Sequence, residues 1–461
     1  MSTRLAALAI AVLVAACGED YLPVEELMKP ETCQTCHPNH FTEWSGSMHA
    51  YASDDPVFQA MNKLGQEETN GELGGFCVQC HAPLALQLGL TTDGSNLADV
   101  PQWAKGVGCY TCHNVKEVAG THNNPLVLAM DQTMRGGIKD AVESPAHQTA
   151  FSPLVDAESQ DSSAMCGSCH DIVTSGNVHL ERTFAEWQTT IFAQPDPRLH
   201  LSCASCHMIV STDVIAEGPG LDVPLRPLGR REHTFAGIDV ALTPWPETQT
   251  QLSAITRDLK GALLPRLCVA PTNGGVIDYR LDNVGAGHMF PTGATADRRA
   301  WAEIIAYDEN DQVVFSSGVM PPGEPYTDPE ALTADPNLWV LGTPARDANG
   351  QPTELFWRVA EIDHPGTLLK PAVTTDPTDP NFYHSVEKRY PVSGQLAQIR
   401  RVTARALIRP LPFALVEDLM ASGHLTTDLR PQIPTHVVEG SVLEWRAGAE
   451  ACVCPNGPPC P

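Results

Sequence analysis

Five stretches of the chain share one spacing of reactive side chains: Cys33-Gln-Thr-Cys36-His37, Cys77-Val-Gln-Cys80-His81, Cys109-Tyr-Thr-Cys112-His113, Cys166-Gly-Ser-Cys169-His170 and Cys203-Ala-Ser-Cys206-His207. Two cysteines three positions apart on a helical turn face the same side, so both thiols can form thioethers with the vinyl groups of one porphyrin. The imidazole that follows reaches the ring centre as the proximal iron ligand. At this chain's Cys and His frequencies chance supplies on the order of 0.02 copies of the pattern, so five copies are a strong signal. Zinc ribbons also use Cys-x-x-Cys pairs, but zinc does not require a histidine directly after every second cysteine. The spacing therefore predicts five covalently bound c-type haems, with the ten cysteines as attachment residues and His37, His81, His113, His170 and His207 as iron ligands.

Each motif needs a short helix to hold it, and the sequence between motifs is short, so the haems must lie near one another. Residues 33–240 read as a loop-rich, mainly α domain, with one connecting helix over Leu180 to Trp187, where Leu180, Phe184 and Trp187 share a face. Trp44 and Trp103 are expected to pack edge-on to porphyrins. After about residue 240 the pattern changes. Pro246 opens a helical segment with Leu252, Ile255, Leu259 and Leu263 on one face, a linker over 241–265. Alternation then takes over: Ile277, Tyr279 and Leu281 oppose Asp278, Arg280 and Asp282, and Val402, Ala404, Ala406 and Ile408 oppose polar neighbours. Trp301 to Tyr307 and Val313 to Phe315 flank Asp308-Glu309-Asn310-Asp311, a hairpin signature. Residues 266–448 thus read as an antiparallel β-sandwich domain with one helix at Phe413 to Ala421, stopped by Gly423. The run Thr375 to Pro380 is a loop whose aspartates could bind calcium, though a solvated loop is the plainer reading.

Residues 1–16 hold Arg4 and the apolar run Leu5 to Ala16, too short to span a bilayer, and read as an export signal. Val14-Ala15-Ala16-Cys17 resembles a bacterial lipobox, which makes Cys17 the expected lipidation site and 17–32 a tether. The expected location is the periplasm or cell envelope, on a membrane surface. Removing residues 1–16 moves the formal charge from -26 to -27, which argues against nucleic acid and against anionic lipid as binding surfaces. In an oxidising compartment Cys268, Cys452, Cys454 and Cys460 can form disulfides in three connectivities, with 449–461 as a disulfide-tied tail.

The remaining histidines decide between carrier and catalyst. A haem that only carries electrons has a second axial ligand, whereas an empty position admits substrate. His122 follows the third motif closely, and His179 and His200 lie between the fourth and fifth; His122 and His179 rank equally and ahead of His200. His40, three residues after a motif histidine, suits a propionate, and His364, His384, His424 and His436 read as ordinary histidines of the β-domain.

Several stretches carry a resemblance: Trp44-Ser45-Gly46-Ser47-Met48-His49, Ser144-Pro145-Ala146-His147, Leu180 to Trp187, His233 to Asp239, and Asn283-Val284-Gly285-Ala286-Gly287-His288-Met289-Phe290-Pro291-Thr292-Gly293. On these the chain resembles the multihaem c-type cytochromes grouped around the tetrahaem electron acceptor of hydroxylamine oxidoreductase, as a pentahaem member with a C-terminal β-domain. The resemblance implies distal iron ligands at His49, His147, His233 and His288. It implies electron transfer with redox partner proteins, either other cytochromes or a quinol-linked complex. The alternative is an oxidoreductase acting on a small nitrogen or sulfur compound at one five-coordinate haem. Related nitrite reductases mark their catalytic haem with Lys in place of the motif histidine, and all five motifs here have His.

Overall fold

Proline and serine set the starts of the helices that carry the motifs. In the computed structural model, which describes residues 21–218, 221–270, 275–457 and 460, the attachment cysteines lie on or beside the helices Pro30–Gln34, Val78–His81, Cys109–His113, Gln160–Gly167 and Cys203–His207. Residues 1–16, read as an export signal, and Cys17, the expected lipidation site, lie outside the described residues. Pro30 opens the first of these helices and Pro38 the helix that follows it, where the missing N–H would have no partner anyway. Ser202 and Ser205 form a reciprocal capping box around the last motif. In the first, second and fourth motifs the histidine N–H donates to the carbonyl of the first cysteine at 2.8, 3.2 and 3.1 Å, one helical turn away.

Helix is not the whole of this region. Four two-stranded ribbons link the attachment helices: Val115–Val118 with Leu126–Leu128, Thr133–Gly136 in parallel with Gln148–Phe151, Ile172–Val173 with His179–Glu181, and Val210–Ser211 with Arg230–Arg231. The helix expected over Leu180 to Trp187 starts later, at Thr183–Gln188, because Leu180 is in the strand paired with Ile172–Val173. Leu180, Phe184 and Trp187 are nevertheless all buried.

The C-terminal region holds two larger antiparallel sheets and a two-stranded ribbon of Ala345–Asp347 with Val359–Ile362. In one, Leu264–Ala270 lies between Val276–Asp282 and Cys452–Val453, and Val386–Pro391 flanks Val276–Asp282. In the other, Arg299–Tyr307 pairs with Arg401–Arg409, Val313–Ser317 and Trp339–Leu341. Ile277, Tyr279 and Leu281 of the first sheet share one core with Ala302, Ile304, Val402 and Ala404 of the second and with Ile255 and Leu259 of the helix Thr248–Ala262. The helix Phe413–Ala421 has the expected bounds, with Gly423 beyond it at φ 80°. It packs Leu415, Val416 and Leu419 against Val57, Ala60 and Leu64 of the helix Pro56–Glu68, so the two halves share a second core. Cys268 is bonded to Cys452, joining adjacent strands, and Cys454 to Cys460. In the acidic loop, Asp376 accepts from the N–H and hydroxyl of Thr378, and no cluster of three metal-ligating side chains occurs among the described residues.

Asp297 gives the fold a pH dependence. Burial raises its carboxyl from the ordinary 3.8 to about 7, against the opposing charges of Arg299 and Arg298. A folded-state pKa above the unfolded one means that the native state binds the extra proton, so this stability is complete below about pH 3.8 and is lost as pH rises through 7. The loss reaches about 4 kcal/mol. Asp297→Asn is expected to flatten the slope between pH 4 and 7 and to exceed the parent in stability at pH 8, read by urea unfolding at a series of pH values.

Candidate haem centres

Four of the five motif histidines are held by the same device, a backbone carbonyl at Nδ1. Nδ1 of His37 lies 2.9 Å from the carbonyl of Ile215, that of His81 3.0 Å from Ala52, that of His113 2.6 Å from Arg135 and that of His207 2.8 Å from Ala236. His170 differs, with Nδ1 3.3 Å from the carboxylate of Glu181. A ring that donates from Nδ1 presents the lone pair of Nε2, the atom an iron would take. Sequence reasoning missed these acceptors. Four are backbone carbonyls with no side-chain signature, and Glu181 lay hidden within a segment read as helix.

Glu181 makes the fourth centre distinct. Burial lowers the His170 pKa, but the hydrogen bond and charge of Glu181 outweigh it and raise the group to about 9. A unit charge about 7 Å from an electron-accepting centre, at an effective dielectric of about 20, is worth about 2 kcal/mol, on the order of 100 mV. With haems bound at the five motifs, Glu181→Gln would raise the potential of the centre at His170 by that order and leave the others nearly unmoved, as read by spectroelectrochemical titration.

Three of the motif rings face a second imidazole. His113 and His233 have ring centroids 6.2 Å apart and planes at 17°; His207 and His288 are 6.4 Å apart at 11°; His170 and His49 are 6.3 Å apart at 51°. A metal held between two imidazoles by bonds of about 2.0 Å, with about 1.2 Å from each nitrogen to its ring centre, needs a separation of about 6.4 Å. His233 and His288 orient their rings by Nδ1 contacts to the carbonyls of Arg231 at 3.0 Å and Met289 at 2.9 Å. His147 does the same with Gln148 at 3.0 Å, and its pKa is lowered by burial and then by the charge of His37, which lies close by.

The other candidate histidines have different surroundings. His81 stacks against Phe58 with centroids 4.0 Å apart. His122 is exposed, with Nδ1 3.2 Å from the Thr121 hydroxyl. His179 is held by the Arg182 guanidinium at Nδ1. His200 has both ring nitrogens buried without a hydrogen-bond partner, and His40 has a buried, unpartnered Nδ1 between the rings of His37 and His233. His364 lies 3.0 Å from Glu186, His384 2.8 Å from Asp282, His424 3.1 Å from Glu67 and His436 2.9 Å from the carbonyl of Ile238. Trp44 donates to the carbonyl of Val107 at 2.8 Å.

The cysteines fit thioether-bound haem. All ten motif cysteines are free thiols, whereas the other four described cysteines form the two disulfides.

Residues 32–114 match the family model for Cytochrome c554 and c-prime, a span that takes in the first three motifs. The fold is similar to the crystal structure of a penta-heme cytochrome c552 from Thermochromatium tepidum, with a TM-score of 0.62 and 19% sequence identity, covering 92% of this chain and 100% of that chain. No curated protein matches the chain. The match and the likeness support a multihaem c-type cytochrome with a helical attachment region and a C-terminal sheet region.

Proposed function

We propose that this chain is a pentahaem c-type electron carrier, in the group around the tetrahaem acceptor of hydroxylamine oxidoreductase, whose haems are mostly held between two histidines. The observation that carries the reading is the set of three imidazole pairs separated by 6.2 to 6.4 Å. The pairs are His113 with His233, His170 with His49 and His207 with His288, and His147 serves the centre at His37. His122 and His179 are left without a haem in this assignment.

Each bound haem supplies a one-electron couple between ferric and ferrous iron. The chain supplies the rest. Ten thiols would fix the porphyrins, and Nδ1 contacts fix the tautomers of the ligands. The β-region, proposed to be a two-sheet sandwich, closes the haem region and lends it His288. Export to the periplasm, acylation at Cys17 and exchange with other cytochromes or a quinol-linked complex belong to the same proposal.

The centre at His81 favours a second reading. Its ring is packed on Phe58, and none of the three imidazole pairs includes it. A five-coordinate centre there would make the protein an oxidoreductase of a small nitrogen or sulfur compound. Haem content and EPR of the oxidised protein test both readings. Five haems per chain with at most one high-spin signal supports the carrier. A high-spin haem that turns over nitrite or hydroxylamine replaces it with the enzyme. Fewer than five haems removes the pentahaem assignment.

A further inference from the structure

Two of the distal histidines come from beyond the five-motif stretch, and the backbone that presents each one is bonded to a carboxylate of the haem region, half-buried at Glu43 and buried at Glu186. Glu43, on the helix Pro38–Ser45 that follows the first motif, accepts the His233 backbone N–H at Oε2 over 2.9 Å. The same carboxylate takes both terminal nitrogens of Arg230 at 2.7 Å each, and Arg230 also reaches Asp213 at 3.3 Å. The Arg230 side chain is only 3% exposed, so the ion pair is desolvated and fixed in place. Glu186, on the helix Thr183–Gln188, accepts the Met289 N–H at 3.1 Å and the Thr292 hydroxyl at 2.7 Å, with His364 at 3.0 Å on its other oxygen. Its side chain is 4% exposed. Neither His233 nor His288 lies in a helix or strand. Backbone pairing stops just short of each, at Glu232 with Ile209 and at Phe290 with Leu369, and the glutamates bond the residues in between.

We propose that Glu43 and Glu186 are positioning residues that seat His233 and His288 across from His113 and His207. The inference rests on the ligand assignment above and adds what holds those ligands. A carboxylate accepting a backbone N–H makes a charge-assisted bond and binds a segment without occupying its side chain. The histidine ring is thereby left free to turn towards the motif imidazole. Each glutamate also lies beside a different motif from the one it serves: Glu43 follows the first and steadies the third, while Glu186 lies between the fourth and fifth and steadies the fifth.

The test uses the full holocytochrome and four variants, His233→Ala, Glu43→Ala, Glu43→Gln and Glu186→Gln, read by EPR and by cyanide binding to the oxidised protein. His233→Ala identifies the signal of the His113 centre. Glu43→Ala should alter that same signal and no other, and raise cyanide affinity at that centre roughly ten- to hundred-fold, the size of effect removal of an outer partner has on ligation. Glu43→Gln, which keeps one acceptor oxygen and the side-chain shape, should give a smaller change of the same kind if Glu43→Ala does not mature. Glu186→Gln should act on the His207 centre alone. An unaltered His113 signal in both Glu43 variants, or equal disturbance of all five centres, overturns the proposal while the ligand assignment stands. An unaltered spectrum in His233→Ala overturns the assignment and the proposal together.

Discussion

His288→Ala is expected to convert one low-spin ferric haem to high spin and to leave the other four as they are. The His288 ring is nearly parallel to that of His207 and 6.4 Å away, and its Nδ1 is held by the carbonyl of Met289. Met289 is bonded in turn to Glu186, so the backbone of the loop is fixed whatever the side chain at 288. Alanine then leaves a gap of imidazole size on the open side of the His207 centre, and water is a weak-field substitute for imidazole. The centre should acquire a high-spin EPR signal, bind cyanide and regain its low-spin spectrum with added imidazole. An unchanged spin count would remove His288 from the ligand set and leave the β-region as a cover with no part in ligation.

The second large effect concerns stability. Cys268 and Cys452 are 184 residues apart in sequence and paired across adjacent strands. Cross-linking a loop of that length removes denatured-state entropy worth about 5 kcal/mol in the chain-entropy treatment. The Cys268→Ser, Cys452→Ser double variant is expected to lose about that much in urea unfolding of the β-region. Haem ligation should follow the same transition at the His207 centre first, since its partner histidine comes from this region. A loss below about 1 kcal/mol would mean that the sheet holds its C-terminal strand without the bridge. Cys454 and Cys460 close a loop of few residues, so their removal should matter much less.

What the sequence disclosed follows from where the signal lies. Covalent chemistry has a fixed spacing, so the five attachment sites stand out by inspection. Alternation marks strands buried on one face, and Ile277, Tyr279 and Leu281 are all fully buried as their pattern implies. Phe413–Ala421 is bounded by Pro412 and by Gly423, residues whose backbone preferences are local. Pairings between distant segments have no such mark. The parallel ribbon of Thr133–Gly136 and Gln148–Phe151 is too short to leave a period, and the strand at His179–Glu181 displaced a helix start by pairing with Ile172–Val173. Glu43 stands next to the Trp44 stretch that carried part of the family resemblance, yet its partners Arg230 and His233 are nearly two hundred residues away. The choice among three disulfide connectivities likewise rests on which strand lies beside Leu264–Ala270.

In the proposed assignment His288 comes from a loop between two strand systems, which gives maturation a sequence in time. Cys203 and Cys206 lie on their own short helix, which Ser202 and Ser205 cap locally. His288 comes into place only after the helix Thr248–Ala262, the strands Leu264–Ala270 and Val276–Asp282, and the Glu186 contact have formed. Under that assignment the centre at His207 would be completed last, and its spin state would report, molecule by molecule, whether the C-terminal half has closed.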